Sequence, residues 1–114
     1  MEKIKDLPNS ITKFLDMVKQ RISDEIAPVK IILFGSFSRG DFDENSDLDL
    51  MFIIKDDNTS IKDTQYKINS LLKDRTIPLD ILVYYESDIE KKKNIIVSLP
   101  YEVVKEGEVI YDSN

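Results

Sequence analysis

Val29-Lys30-Ile31-Ile32-Leu33-Phe34-Gly35-Ser36 and Ser46-Asp47-Leu48-Asp49-Leu50-Met51-Phe52-Ile53-Ile54 are the two stretches whose reading decides the fold. Each carries a short apolar, β-branched run bounded by turn-forming or polar residues, the pattern of a buried strand. The first run stops abruptly at Gly35, which calls for a sharp turn, and the polar, acidic residues Asp41 to Ser46 between the two runs read as a loop. Upstream, Ile11, Phe14, Leu15, Val18, Ile22 and Ile26 recur at three- and four-residue steps. That spacing predicts an amphipathic helix over about Asn9 to Ile26, capped by Asn9 or Ser10 and closed before Pro28. Downstream, a second helix is expected from about Asn58 to Arg75, with Ile61, Ile68, Leu71 and Leu72 turned inward. Pro78 then opens a third strand over Leu79 to Tyr84, and a short helix near Ser87 to Val97 and a strand or hairpin near Glu108 to Tyr111 follow. This order places the chain in the α/β class, as one small domain over residues 1–114 with a mixed central sheet flanked by helices.

Composition narrows the chemistry. A chain of 114 residues with 41% apolar and 33% charged residues is sized and balanced for one folded domain. It has no cysteine and no histidine, so disulfides, thiolate zinc sites and imidazole bases are excluded. Catalysis, if any, has to run on carboxylates, hydroxyls and amines. A formal net charge of -6 argues against direct nucleic-acid binding through a basic face, and it suits a site where carboxylates collect around a cation. Lys91-Lys92-Lys93 reads as a solvated helix face. The start Met1-Glu2-Lys3-Ile4-Lys5-Asp6 has no apolar targeting segment and no stretch is long enough for a bilayer, so the expectation is a cytoplasmic protein that does not engage a membrane.

The chemistry gathers around the two decisive runs. Gly35 lacks a Cβ, so a phosphate chain can approach the backbone there. Ser36 offers a hydroxyl and an N–H where a short helix would begin, and together they suit a triphosphate. Arg39, on the same short helix, is a further candidate for phosphate, while Gly40 fits a helix C-cap. Asp47 and Asp49 stand two apart on a strand and so project to one face, with Leu48 turned to the opposite, core face. Two like charges so placed call for a cation, and oxygen-only ligands favour a hard ion such as Mg²⁺. Asp80, embedded in Leu79-Asp80-Ile81-Leu82-Val83, joins them if its strand lies beside Leu48 to Ile54. Three such carboxylates can hold two metal ions, one on nucleotide phosphates and one on an attacking hydroxyl.

Gly35-Ser36, ten intervening residues, then Asp47-x-Asp49 is similar to the signature of the DNA polymerase β-like nucleotidyltransferase superfamily, and the short length resembles its minimal branch, the MNT domains. The pattern covers about residues 30–84, and Ser46-Asp47-Leu48-Asp49-Leu50 matches the form common in minimal members. The resemblance implies that Asp47 and Asp49 are metal ligands, that Gly35 and Ser36 hold the phosphates of ATP, and that Asp80 is a third ligand and activates the acceptor hydroxyl. It also implies a biological setting. Many minimal members are antitoxins paired with HEPN-type ribonuclease toxins, and several transfer AMP from ATP to a tyrosine of the toxin. Larger relatives such as aminoglycoside nucleotidyltransferases carry a second domain for the acceptor; only about thirty residues follow Asp80, so a partner protein is expected to bring the acceptor here. Two other readings stand beside this one: an antitoxin that masks the toxin by contact alone, and an enzyme that modifies RNA or a small molecule.

Overall fold

The computed structural model describes residues 7–57 and 59–113. In chain order the elements are α1 (Asn9–Glu25), β1 (Lys30–Phe34), α2 (Ser36–Arg39), β2 (Leu48–Ile54), α3 (Ile61–Leu71), β3 (Leu79–Tyr85), α4 (Glu86–Lys92), α5 (Leu99–Glu106) and β4 (Glu108–Asp112). The strands form one sheet in the order β3-β2-β1-β4. β1 runs antiparallel to β2 and β4, whereas β2 and β3 are parallel. Parallel neighbours cannot be joined by a tight turn, and α3 supplies the crossover. The mixed α/β architecture expected from the order of elements is therefore the one adopted.

The sheet is covered on both faces, which explains why β2 is buried at every position except Asp49. Side chains alternate between faces along a strand. Leu48, Leu50, Phe52 and Ile54 pack in one core with Phe14, Val18 and Ile22 of α1 and Ile68 of α3. Met51 and Ile53 turn the other way, toward Ile89 of α4 and Val103 of α5. The same alternation puts Leu48 in the first core and Asp49 on the second face, at the end of the sheet. Each side chain buried fully in this way contributes roughly 1.5–3 kcal/mol relative to exposure, so both faces hold the strand that carries the acid.

Several boundaries differ from the sequence reading, each for a local reason. α1 is capped by Pro8, not by the side chain of Asn9 or Ser10: the Pro8 carbonyl accepts from the N–H groups of Ile11 and Thr12 at 3.0 and 3.1 Å. Asn58, the expected start of the second helix, lies outside the described residues. α3 begins at Ile61, where Ser60 Oγ accepts from Asp63 N–H at 3.2 Å. It ends at Leu71 instead of Arg75, because Arg21 Nη1 donates to the Leu71 carbonyl at 2.9 Å and also pairs with Asp74 at 2.9 Å. The expected helix near Ser87 to Val97 stops at Lys92, and α5 was not expected at all. Its start is set by Ser98, whose Oγ accepts from Tyr101 N–H at 3.1 Å, and by Pro100 in the first turn, where a missing N–H costs nothing. Among the described residues, no helix is long and apolar enough to cross a membrane.

Candidate active site

Strand register brings the separate parts of the motif together. Phe34 is the partner of Asp49 across the β1–β2 pair, and Asp49 is the partner of Asp80 across the β2–β3 pair. The end of β1 and the starts of β2 and β3 thus share one row. Leu48 N–H donates to the Pro78 carbonyl at 3.0 Å, which pins β2 to the approach of β3 at this end. Asp47 stands exposed one residue ahead of β2, two before the half-buried Asp49, while Asp80 is exposed on β3.

Gly35 follows Phe34 and adopts φ 78°, ψ -154°, a conformation open in practice to glycine alone. A Cβ built on Gly35 would lie 2.1 Å from Asp49 Oδ2 and 3.1 Å from its Cγ. The absence of a side chain is therefore what leaves room for the Asp49 carboxyl. The Gly35 carbonyl accepts from Ser38 and Arg39 N–H at 3.1 and 3.0 Å, starting α2, which places Ser36 as its first residue. Gly40 closes α2 in the left-handed region at φ 88°, as a C-cap should.

The acids influence one another. Burial pushes the Asp49 carboxyl up to about 6, helped by a hydrogen bond shared with Asp80 and by the negative charges of Asp80 and Asp47, with Arg39 pulling the other way. A carboxyl raised in the folded chain favours folding when protonated. Its contribution is fully present below the ordinary carboxylate value of 3.8 and is lost as pH rises through about 6. In metal-free buffer, Asp49→Asn is therefore expected to match or trail the wild type near pH 4. Above pH 6 it should be the more stable form by on the order of 1 kcal/mol, once solvent screening of a half-buried group is allowed for. Thermal melts of both proteins across that range check this, and a stability difference independent of pH would remove the strained-carboxyl account.

Arg39, the remaining predicted site residue, extends from α2 between two acids: its Nε lies 3.3 Å from Asp41 Oδ2, and its charge also reaches Asp49. Asp43 shapes the loop, its Oδ1 accepting from Asn45 N–H at 2.8 Å while Ser46 Oγ accepts from Asp43 N–H at 2.9 Å. Two features here were not anticipated. Phe37 and Phe42 stack with centroids 4.6 Å apart, folding the loop back onto α2. Ser38, buried, donates from Oγ to the Glu106 carbonyl at 3.0 Å and so ties α2 to the end of α5. A depression of about 350 Å³, lined in part by Phe37, Phe42, Ser46 and Pro78, opens near this end of the sheet. A larger one of about 500 Å³, bordered by Lys55, Asp57, Asp63 and Lys67, lies beyond the other end of β2 and away from the acids.

Asp49 and Asp80 form the close pair, and Asp47 stands within electrostatic reach of it. Among the described residues, no three acidic side chains gather closely enough to hold an ion by themselves. Oxygen donors of this kind suit a hard cation that takes its other ligands from water or from a bound polyphosphate.

The arrangement can be compared with known proteins. A protein of Methanocaldococcus jannaschii named "putative protein adenylyltransferase" is 40% identical over 78 residues, which span 68% of this chain and 74% of that protein. A second protein of that organism, named in the same way, is 34% identical over 102 residues, 90% of this chain and 95% of its own length. The crystal structure of a "putative nucleotidyltransferase" from Sulfolobus solfataricus superposes with a TM-score of 0.61 over 92% of this chain and 86% of that one; at 19% identity it speaks for the fold alone. The sequence profile of the nucleotidyltransferase domain matches residues 11–102, from the first turns of α1 to α5. With the profile covering most of the chain and the acid row lying inside the matched span, the chain belongs to the nucleotidyltransferase domain family.

Proposed function

We propose that this protein is a Mg²⁺-dependent adenylyltransferase that moves AMP from ATP onto a tyrosine hydroxyl of a HEPN-type ribonuclease toxin, and so serves as that toxin's antitoxin. The observation that carries the reading is the Gly35 turn laid against the Asp49 carboxyl, with Asp80 beside it in register. The names of the two archaeal relatives support a protein acceptor. The antitoxin role rests on the resemblance to minimal MNT proteins.

In this reading Asp47, Asp49 and Asp80 would hold Mg²⁺, with one or two ions bound together with the triphosphate. Bound there, Mg²⁺ would supply positive charge to the phosphate oxygens and ease ionisation of the acceptor hydroxyl. Gly35 and Ser36 receive the triphosphate, since the bare backbone at Gly35 admits close approach. Arg39, already balanced between Asp41 and Asp49, is positioned to exchange a carboxylate for a phosphate oxygen. Asp80, the exposed member of the pair, accepts the tyrosine proton. The tyrosine oxygen bonds to the α-phosphorus as the bond to the β-phosphate oxygen breaks, and pyrophosphate leaves. AMP left on the toxin adds negative charge where RNA would have to bind.

Co-expression with a HEPN-type protein tests the reading. The partner is expected to emerge heavier by one or more AMP units and to stay inactive as a nuclease after separation. Neutralisation by the Asp47→Asn, Asp49→Asn form equal to that by the wild type, with no mass gain in either case, would mean that masking by contact is the function.

A further inference from the structure

Transfer to a protein needs a surface that holds the protein as well as a site for the reacting atoms. Among the described residues, the longest unbroken run of exposed apolar side chains is Ile95-Ile96-Val97, at 48, 74 and 93% exposure, in the connection from α4 to α5. Leu99 adjoins it. Apolar groups left this open in a soluble fold mark a contact surface when they are contiguous.

The connection is held in shape. Ser98 Oγ lies 2.8 Å from the Lys92 carbonyl and 2.7 Å from the Ile95 carbonyl, and it also accepts from Tyr101 N–H. Ile95 N–H donates to the Lys92 carbonyl and Ser98 N–H to the Ile95 carbonyl, each at 2.9 Å. These bonds fix the connection at Ile95 and Ser98, on either side of Ile96 and Val97, and leave the three side chains in solvent as a preformed knob. A preformed knob loses little ordering entropy on docking.

Charge identifies the kind of partner. Lys91 and Lys92 stand exposed in the last turn of α4 beside the knob, whereas Lys93 is paired with Glu90 at 3.0 Å. The knob is thus an apolar and basic spot on a chain of net charge -6. Its complement is an apolar socket rimmed by carboxylates. An anionic bilayer would meet the repulsion of the rest of the chain, and a second copy offers no second run of consecutive exposed apolar side chains among its described residues.

We infer that Ile95, Ile96 and Val97, with Lys91 and Lys92, are the docking surface for the protein acceptor, which presents an acid-rimmed apolar socket; this rests on the reading of the chain as a modifier of a HEPN-type protein. Calorimetric titration of that HEPN-type protein into the full chain without ATP reads docking apart from chemistry. Ile96→Asp with Val97→Asp is expected to weaken binding about 30-fold or more, as for a central interface contact. Lys91→Glu with Lys92→Glu should weaken it about tenfold and flatten its salt dependence. Val97→Ser alone, at the most exposed position, provides a milder variant that keeps its melting temperature and should still bind several-fold more weakly.

Equal affinity of the knob variants and the wild type overturns the inference. So does absence of binding by the wild type, or a knob-dependent shift seen only in sedimentation with phosphatidylserine vesicles or in self-association of the chain. Intact-mass analysis of the same mixtures with ATP and Mg²⁺ scores the catalytic reading separately. Knob-dependent binding without mass gain keeps the surface and removes the enzyme, whereas mass gain at equal rates in all variants keeps the enzyme and removes the surface.

Discussion

Asp47→Asn combined with Asp49→Asn is expected to reduce AMP transfer by on the order of 10³-fold or more while leaving the chain folded. Asn keeps the size of Asp but offers a neutral amide oxygen, and a hard cation on two such groups would lose the anionic ligands proposed to hold it. The fold should tolerate the change because neither carboxylate supports it. Asp47 is exposed ahead of β2, and Asp49 is held against Asp80 at a cost that burial and like charge impose. Calorimetry with ATP should show that the Mg²⁺-dependent part of the affinity is gone in the double variant, and melting above pH 6 in metal-free buffer should show equal or higher stability. Wild-type Mg²⁺-dependent ATP affinity in a folded double variant would sink the active-site assignment.

Legibility in the sequence followed the range of the interactions involved. β1, β2 and α1 could be read because their apolar periodicity is local, and the turn between the strands because Gly35 ends an apolar run. The candidate site was legible as a spacing, Gly35-Ser36 to Asp47 and Asp49. Asp80 could be named only conditionally, since its place depends on β3 pairing in parallel with β2, and that register is set by α3 and the two cores. Contacts across larger separations in the chain were out of reach. The end of α3 is decided by Arg21, fifty residues upstream of Leu71, and Ser38 meets the end of α5, a helix outside the elements expected from the sequence. The glycine requirement at position 35 was anticipated for the approach of phosphate; the carboxyl of Asp49 filling the space is visible only in three dimensions.

Gly35→Ala is expected to damage stability and transfer together, for two separable reasons. At φ 78° and ψ -154° an L side chain is strained by about 1–3 kcal/mol wherever it points. Its Cβ would also stand 2.1 Å from Asp49 Oδ2, so either the carboxyl swings away from Asp80 or the turn lifts from the strand row. Misplacement of about 1 Å in such a site costs roughly 10²-fold in rate. A loss of this size in strain alone lowers the melting temperature of a chain this small by about 5–15 °C. Asp49→Ala separates the two reasons, because it removes Oδ2 and Cγ and leaves a Cβ at 3.4 Å, an ordinary contact. Gly35→Ala should therefore destabilise less in the Asp49→Ala background than in the wild type, with transfer absent in both Asp49→Ala proteins. If Gly35→Ala costs the same stability in both backgrounds, the contact with the carboxyl contributes nothing, and Gly35 is required for its backbone conformation alone.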